Sequence, residues 1–528
     1  MPTVTCLTTT ISMNVPPEVL AQIFFHCIPF EQYPIPSHNQ APLLLTRISS
    51  YWRTLAINTP DLWSAFHINY NDPAEDIPAT NLWLARSTNR PLSLSLAIDF
   101  GEQSQQGIID AFCRHSYRWK HLRFDFRHLI CPPMYSLDIA EGSIPELTTF
   151  EFHARDIDNT NLSQIIRLLR TAPNLRHVTW VDDLADTDML LQLPLNQLTR
   201  LSLAMDHGIL DYVQILDRCT NLQHIRITRS LLSSYQTYQT KSPPLFLYKL
   251  TSLNISYDLT TVLDQLVLPA LKHVKIFTVN DGMIDRYKRK SYPTLLHSSH
   301  YSHLQSTSEL WNPSPLISLI DRSTCDISTL SLSAPMMEDD LLLCLLKTSA
   351  SLLSLELEGV EVRDKVLTYL TRRRRRRGSS GVDDGGQQVG VEPEPRQDDE
   401  GDDLENEEDD GIHEDFLCPK LEDLILHTQI ISSQGILADM IASRLSDEDS
   451  ETAVSSSSPS NPEEHTTGNP KRAMLRKLVI MDGHWDLDRV EEFSSWGYGF
   501  KVHIIRRKPA PKGKIRNFLF KNKLCASR

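Results

Sequence analysis

Between Pro17 and Ile28 the apolar residues Val19, Leu20, Ile23, Phe24, Cys27 and Ile28 recur at a spacing of 3–4 residues, which predicts an amphipathic helix. Phe25 widens the apolar arc to more than half the circumference, whereas one packing neighbour covers a stripe of roughly 100°. Leu44, Ile48, Tyr51, Trp52 and Leu55 predict a second helical segment. Asn14 and Pro16-Pro17-Glu18 supply a helix start, because proline suits the first turn and a carboxylate there suits the helix dipole. Asn58-Thr59-Pro60 supplies a stop, since the residue before proline is pushed out of the helical region. Residues 14–66 therefore predict a small all-α module with apolar surface left over for a partner.

The pattern then changes period. Asp72 to Asn81 reads as a polar turn and Leu82 to Arg86 as a short helix, while Arg90 to Ile98 alternates with period two and predicts a strand. From residue 119 an apolar position is followed by others three and five residues on. Such units open at Trp119, Leu147, Leu175, Leu198, Leu222, Leu250, Leu271, Ile327, Leu352, Leu421 and Leu475. The first seven openings fall 21 to 28 residues apart, the period of leucine-rich repeats. Apolar helical segments lie between several units, at 162–169, 209–216, 259–266, 341–346 and 436–445. The fold class expected is α/β: the helical module, then over 82–507 a solenoid with parallel strands on a concave side and helices on the convex side. Its third and fifth unit positions face outward on the strands, since side chains alternate.

Composition sharpens this picture in two places. The net charge of −14 is local, because residues 378–415 hold 16 acidic residues and one arginine. The remainder is close to neutral and carries no global nucleic-acid signal. Low hydrophobicity and high charge predict disordered insertions at 372–416, which opens with six arginines, and at 446–472, rich in Ser, Glu and Pro. A third, polar insertion runs from Asn280 to Pro315, and a basic tail occupies 508–528. Nine scattered cysteines without a CxxC pair read as reduced thiols. No apolar run reaches membrane-spanning length and no secretory signal opens the chain, so a cytoplasmic or nuclear location without membrane contact is expected.

No phosphate-binding loop, G-x-S-x-G elbow, HExxH or dinucleotide fingerprint is present, so no catalytic residue, no cofactor and no metal is expected. His297, His300 and His303 stand three apart, but in a polar stretch without neighbouring Cys, Asp or Glu. A solvated loop is the better reading of them. The outward strand positions are more informative. His177, Arg200, His224, Arg226, His273 and Lys275 make the middle of that face basic, suited to an acidic or phosphorylated ligand. The plain alternative is that exposed strand positions are polar in any case. The acidic segment 398–415 is a possible internal competitor for this face.

The run Val15-Pro16-x-Glu18-x-Leu20-x-x-Ile23-Phe24, then Ile48-Ser49-x-x-Trp52-Arg53-x-Leu55-Ala56 and Thr59-Pro60-x-Leu62-Trp63, resembles an F-box of the divergent kind common in fungal F-box-like proteins. Val15 stands where the family usually has Leu, and the loop from Ile28 to Ala41 is longer than in compact members. F-box plus leucine-rich repeats implies a substrate receptor of an SCF-type ubiquitin ligase. In that family the F-box binds a Skp-type adaptor, and through it a cullin–RING ligase, while the repeats hold a protein substrate. The resemblance places the adaptor contacts among Val15, Pro16, Leu20, Ile23, Phe24, Phe25, Ile48 and Trp52, some of which must fill the module's own core. Two other readings stay open: an interaction scaffold outside any ligase, and a nuclear nucleic-acid-associated protein using the arginine run and basic tail.

Overall fold

The computed structural model describes residues 15–29, 33–70, 72–98, 106–126, 136–154, 159–182, 186–205, 209–229, 243–278, 310–371, 417–428, 430–445, 474–481, 487–493 and 500–505. The six-arginine run, the acidic segment, the histidine triplet, the Ser/Glu/Pro insertion and the basic tail lie outside them. The described residues form two compact units. One runs to Asp340 and includes Glu356–Val360; the other comprises Leu341–Leu355 and the residues from Glu361 on. The class is mixed α/β, with parallel strands and many helices.

In the first unit, helix α1 is Pro17–His26, with proline in its first turn. The second segment is not one helix. It divides into a 3-10 turn, Leu45–Arg47, and helix α2, Ser50–Ile57. The division falls at Ser49, an extended residue whose hydroxyl accepts from the Trp52 N–H at 3.1 Å and so caps α2. Helix α2 ends at Ile57, and Pro60 opens a further 3-10 turn, Pro60–Trp63.

Residues 73–81 are helical rather than a turn: α3 is Pro73–Arg86. Asp72 caps it by accepting from the Ala74 N–H at 2.8 Å, Pro73 occupies the first helical position, and Glu75 and Asp76 come next in the first turn. These start signals outweigh the single internal Pro78, whose missing N–H costs one helical bond, that to the Ala74 carbonyl. Helix α3 ties the helical module to the first strand of the sheet. The Trp83 ring meets Trp63 at 4.8 Å and Phe66 at 5.6 Å, and the Arg86 guanidinium lies 4.4 Å from the Trp63 ring centroid.

Ten parallel strands run in chain order: β1 (Ala65–Tyr70), β2 (Leu92–Ile98), β3 (Trp119–Phe126), β4 (Thr149–Ala154), β5 (His177–Val181), β6 (Arg200–Met205), β7 (His224–Arg229), β8 (Ser252–Ser256), β9 (His273–Phe277) and β10 (Thr329–Ser333). The sheet begins at Ala65, earlier than the expected boundary at 82, because Phe66 and Ile68 supply the inward alternation of a first strand. The repeat positions are in register across it. Leu122, Phe150, Val178, Leu201, Ile225, Leu253, Val274 and Leu330 pair strand by strand on the inner face, each no more than 2% exposed. Fully burying such a side chain contributes about 1.5–3 kcal/mol, so the repeat itself builds the core. Among the connecting segments, Asn159–Arg170 and Ile209–Asp217 are α-helices, as the pattern predicts. Tyr257–Gln265 is a 3-10 helix instead, and the β-branched run Thr260-Thr261-Val262 disfavours the α form there.

In the second unit β11 (Asp423–His427), β12 (Lys477–Met481) and β13 (Lys501–Ile505) are parallel in the same way. Helix Ile436–Leu445 matches its predicted bounds and carries Arg444. That buried guanidinium donates to the carbonyls of Leu370, Cys418 and Leu417 at 2.7, 2.9 and 2.6 Å.

Candidate functional site

The first candidate surface is the outer side of the N-terminal module. At 100° per residue, Leu20 and Phe24 define one stripe of α1, Val19 and Ile23 lie to one side of it and Phe25 to the other. Leu20 and Phe24 are buried at 4% and 0%, whereas Val19, Ile23 and Phe25 are 49%, 47% and 53% exposed. The wide apolar arc is thus an inner stripe with two outward flanks. Leu20 and Phe24, expected among the contact residues, are committed to the module's own core, and Trp52 packs its half-buried ring on Phe24 with centroids 4.8 Å apart. Val15 is half-buried, Pro16 is exposed, and Ile48 is exposed together with Leu44 and Tyr51. Periodicity named these helical positions, and the motif resemblance Val15 and Pro16, but neither could separate inward from outward ones, because both are apolar.

Trp63 anchors this surface to the sheet. Its ring is fully buried, its indole N–H donates to the Ala56 carbonyl at 2.8 Å, and Trp83 and Arg86 cover it from α3. The exposed residues of α1 and α2 are therefore carried on a packed base.

The second candidate surface is the polar face of the sheet. The third unit positions His121, Thr149, His177, Arg200, His224, Ser252, His273 and Thr329 form one row, strand partner to strand partner. Arg123, Glu151, Thr179, Ser202, Arg226, Asn254, Lys275 and Ser331 form the next. All six basic residues expected on this face from β5 to β9 are there. Arg200 and His273 are exposed, while His177, His224, Arg226 and Lys275 are half-buried.

The two ends of this face are occupied differently from its middle. At the β1 end the loop before Ala41 comes across it: the Pro34 carbonyl accepts from the His67 N–H at 3.0 Å, and the Tyr33 hydroxyl donates to Glu151 Oε1 at 3.3 Å. With Pro34 held at β1 and Glu151 on β4, the Tyr33 phenol lies across the strands between. Arg123 completes the group, 3.7 Å from Glu151 and 3.5 Å from Asp125. Burial raises the Glu151 carboxyl above its ordinary range, opposed by Arg123 and by the Tyr33 hydrogen bond. Burial, followed by the Glu151 charge, raises the Tyr33 phenol. Past β10, the Ser331 hydroxyl donates to Glu356 at 2.9 Å. Tyr33 is not singled out by the sequence pattern, since nothing local distinguishes a loop tyrosine that bonds a residue 118 positions on.

Between these ends, two rows over β5 to β10 carry no Asp or Glu. His177 is lowered from its ordinary value by burial and by Arg200 and His224; His224 is lowered by burial and by Arg200 and His273. Both therefore take up a proton less readily than a free imidazole. Arg226 is steadied by its guanidinium lying 4.4 Å from the Phe277 ring centroid. Among the described residues, Arg200, His224 and Lys275 have no side-chain hydrogen-bond or ion-pair partner.

Among the described residues no three metal-ligating side chains gather, and no helix is long and apolar enough to cross a membrane. No protein-family model matches the chain, and no curated protein sequence matches it.

Proposed function

We propose that this chain is the substrate-recognition subunit of an SCF-type ubiquitin ligase. On this reading residues 14–66 are an F-box that binds a Skp-type adaptor, and the parallel-stranded repeats are a leucine-rich-repeat solenoid that binds the protein substrate. The observation that carries it is the pairing of two open surfaces on one packed unit: an apolar one at Val19, Ile23, Phe25, Ile48 and Tyr51, and a polar one over β5–β9. Exposed apolar side chains on a small helical module favour a protein partner. Ubiquitin transfer belongs to other subunits. The contribution of this chain is proximity, holding the substrate where the transfer takes place.

The relevant adaptor contacts are then Ile23, Phe25 and Ile48, with Val15, Pro16 and Trp52 at the margin, while Leu20 and Phe24 support them from beneath. The test is co-purification of the full chain with adaptor and cullin. Recovery of both supports the reading, and loss of both in the Ile23→Asp/Ile48→Asp double variant ties it to these residues. Adaptor without cullin would favour a scaffold outside the ligase. Recovery of neither, or undiminished recovery by the double variant, would overturn the assignment.

A further inference from the structure

We propose that strands β5 to β9 hold an extended, Asp- and Glu-rich segment of the protein ligand. This deepens the receptor reading and rests on it for the statement that the face serves to hold a protein. The basic groups are distributed over four of the five strands: His177 on β5, Arg200 on β6, His224 and Arg226 on β7, His273 and Lys275 on β9. Neighbouring strands lie about 4.8 Å apart, so β5 to β9 spans about 19 Å, which an extended peptide covers in about six residues at about 3.3 Å each. A distributed arrangement suits several single charges along a chain. A lone dianion calls for donors converging on one point.

The residues between the basic groups fit the same occupant. Thr179, Ser202 and Asn254 are half-buried in the second row and offer hydrogen bonds to a peptide backbone. The large aromatic rings in this part of the sheet, Trp180 and Phe277, are buried, so the face lacks the stacking platforms that single-stranded nucleic acid uses. Tyr33 occupies the β1–β4 portion, where Glu151 would also repel a carboxylate. Glu356 marks the opposite limit.

Protonation is coupled to this geometry. Facing His177 and His224 are His121 from β3, Glu151 from β4, already engaged by Arg123 and Tyr33, Arg200 from β6, Arg226 from β7, and His273 and Lys275 from β9; β8 adds only Ser252 and Asn254. Burial first, and then the surrounding cations, disfavour the protonated form of these imidazoles in the free protein. A carboxylate laid over them reverses the balance, so binding takes up protons and strengthens as the pH falls.

The experiment is fluorescence anisotropy with the full chain and a labelled octapeptide alternating Glu and Ser. A Lys–Ser octapeptide, a peptide with one phosphoserine and no Glu, and an oligouridine octamer are measured beside it. The expected result is binding of the Glu–Ser peptide at least tenfold tighter than each of the other three. Arg200→Glu and Lys275→Glu, each with an unchanged circular dichroism spectrum, should each weaken it about tenfold. Affinity should rise severalfold from pH 7.5 to pH 6.0, and His177→Gln/His224→Gln should flatten that rise. Unchanged affinity in both charge-reversal variants overturns the proposal, as does preference for the phosphoserine peptide or for oligouridine. Adaptor binding measured on the same preparations separates the two readings. A chain that takes the peptide without adaptor refutes the receptor assignment, and one that takes adaptor without peptide refutes the acidic-segment proposal alone.

Discussion

The Tyr33 hydroxyl donates to Glu151 Oε1 at 3.3 Å, joining the loop of the N-terminal module to the fourth strand of the sheet across 118 residues of chain. The longer loop between Ile28 and Ala41 therefore has a structural use. It lays a tyrosine over the first four strands and leaves the basic strands beyond them open. Removing the donor alone, in Tyr33→Phe, should lower stability by about 1 kcal/mol or less, because Arg123 still faces Glu151. Tyr33→Ala should cost more through lost packing. Urea unfolding midpoints check both, and equal midpoints for all three proteins would mean the contact contributes nothing in solution.

Two neighbouring residues of α1 should behave oppositely. Phe24 is fully buried and Ile23 is 47% exposed. Phe24→Ala should destabilise by about 3–5 kcal/mol through the cavity it leaves. Ile23→Asp should change stability by about 0.5 kcal/mol or less while abolishing adaptor capture. Thermal unfolding and pull-down on the same two variants provide the comparison.

In the second unit Arg444 serves three main-chain carbonyls. Arg444→Leu leaves those buried acceptors without their donor, an expected loss of about 3 kcal/mol. Hydrogen exchange in residues 417–445 should accelerate in that variant while exchange in β3–β9 stays as in the parent.

Thiol chemistry should separate the cysteines by burial. Cys27 is exposed, whereas Cys113, Cys219, Cys325, Cys344 and Cys418 are buried. Burial pushes the Cys113 and Cys219 thiols up to about 12 and the Cys325 and Cys418 thiols up to about 11, so little thiolate forms at pH 8. Iodoacetamide on the native protein should modify Cys27 and spare these five, as read by peptide mass mapping. Alkylation of Cys113 or Cys219 at the rate of Cys27 would contradict their burial.

The histidines give the free protein a pH dependence of its own. Burial, then Arg200, lowers His177 and His224 in the folded state, and burial first of all lowers His115 and His121. As pH falls through about 6.5, the ordinary imidazole value, the unfolded chain takes up protons first. Stability should be full above that pH and decline below it until the folded imidazoles also protonate. Melting temperatures at pH 7.5 and 5.5 should differ less in His177→Gln/His224→Gln than in the parent. The Glu–Ser peptide should narrow the gap in the parent.

The amino-acid order alone determined the repeat and its register. The Leu-x-x-Leu-x-Leu spacing marks both the buried positions such as Leu201 and Leu203 and the outward rows bearing Arg200 and Arg226, because alternation along a strand is a local property. It determined the start of α1 and both ends of Ile436–Leu445, because proline and apolar-period signals are local too. Tertiary structure decided what depends on contacts between distant segments. Burial of Phe24 but not of Ile23 results from where Trp52 and the Pro60–Trp63 turn lie. The helix over residues 73–86 draws on the Trp83–Trp63 contact as well as its cap. The division of the polar face results from Tyr33 reaching Glu151. Hydrophobic periodicity records which residues avoid water, and only the packed chain settles which neighbour, core or partner, keeps it from them.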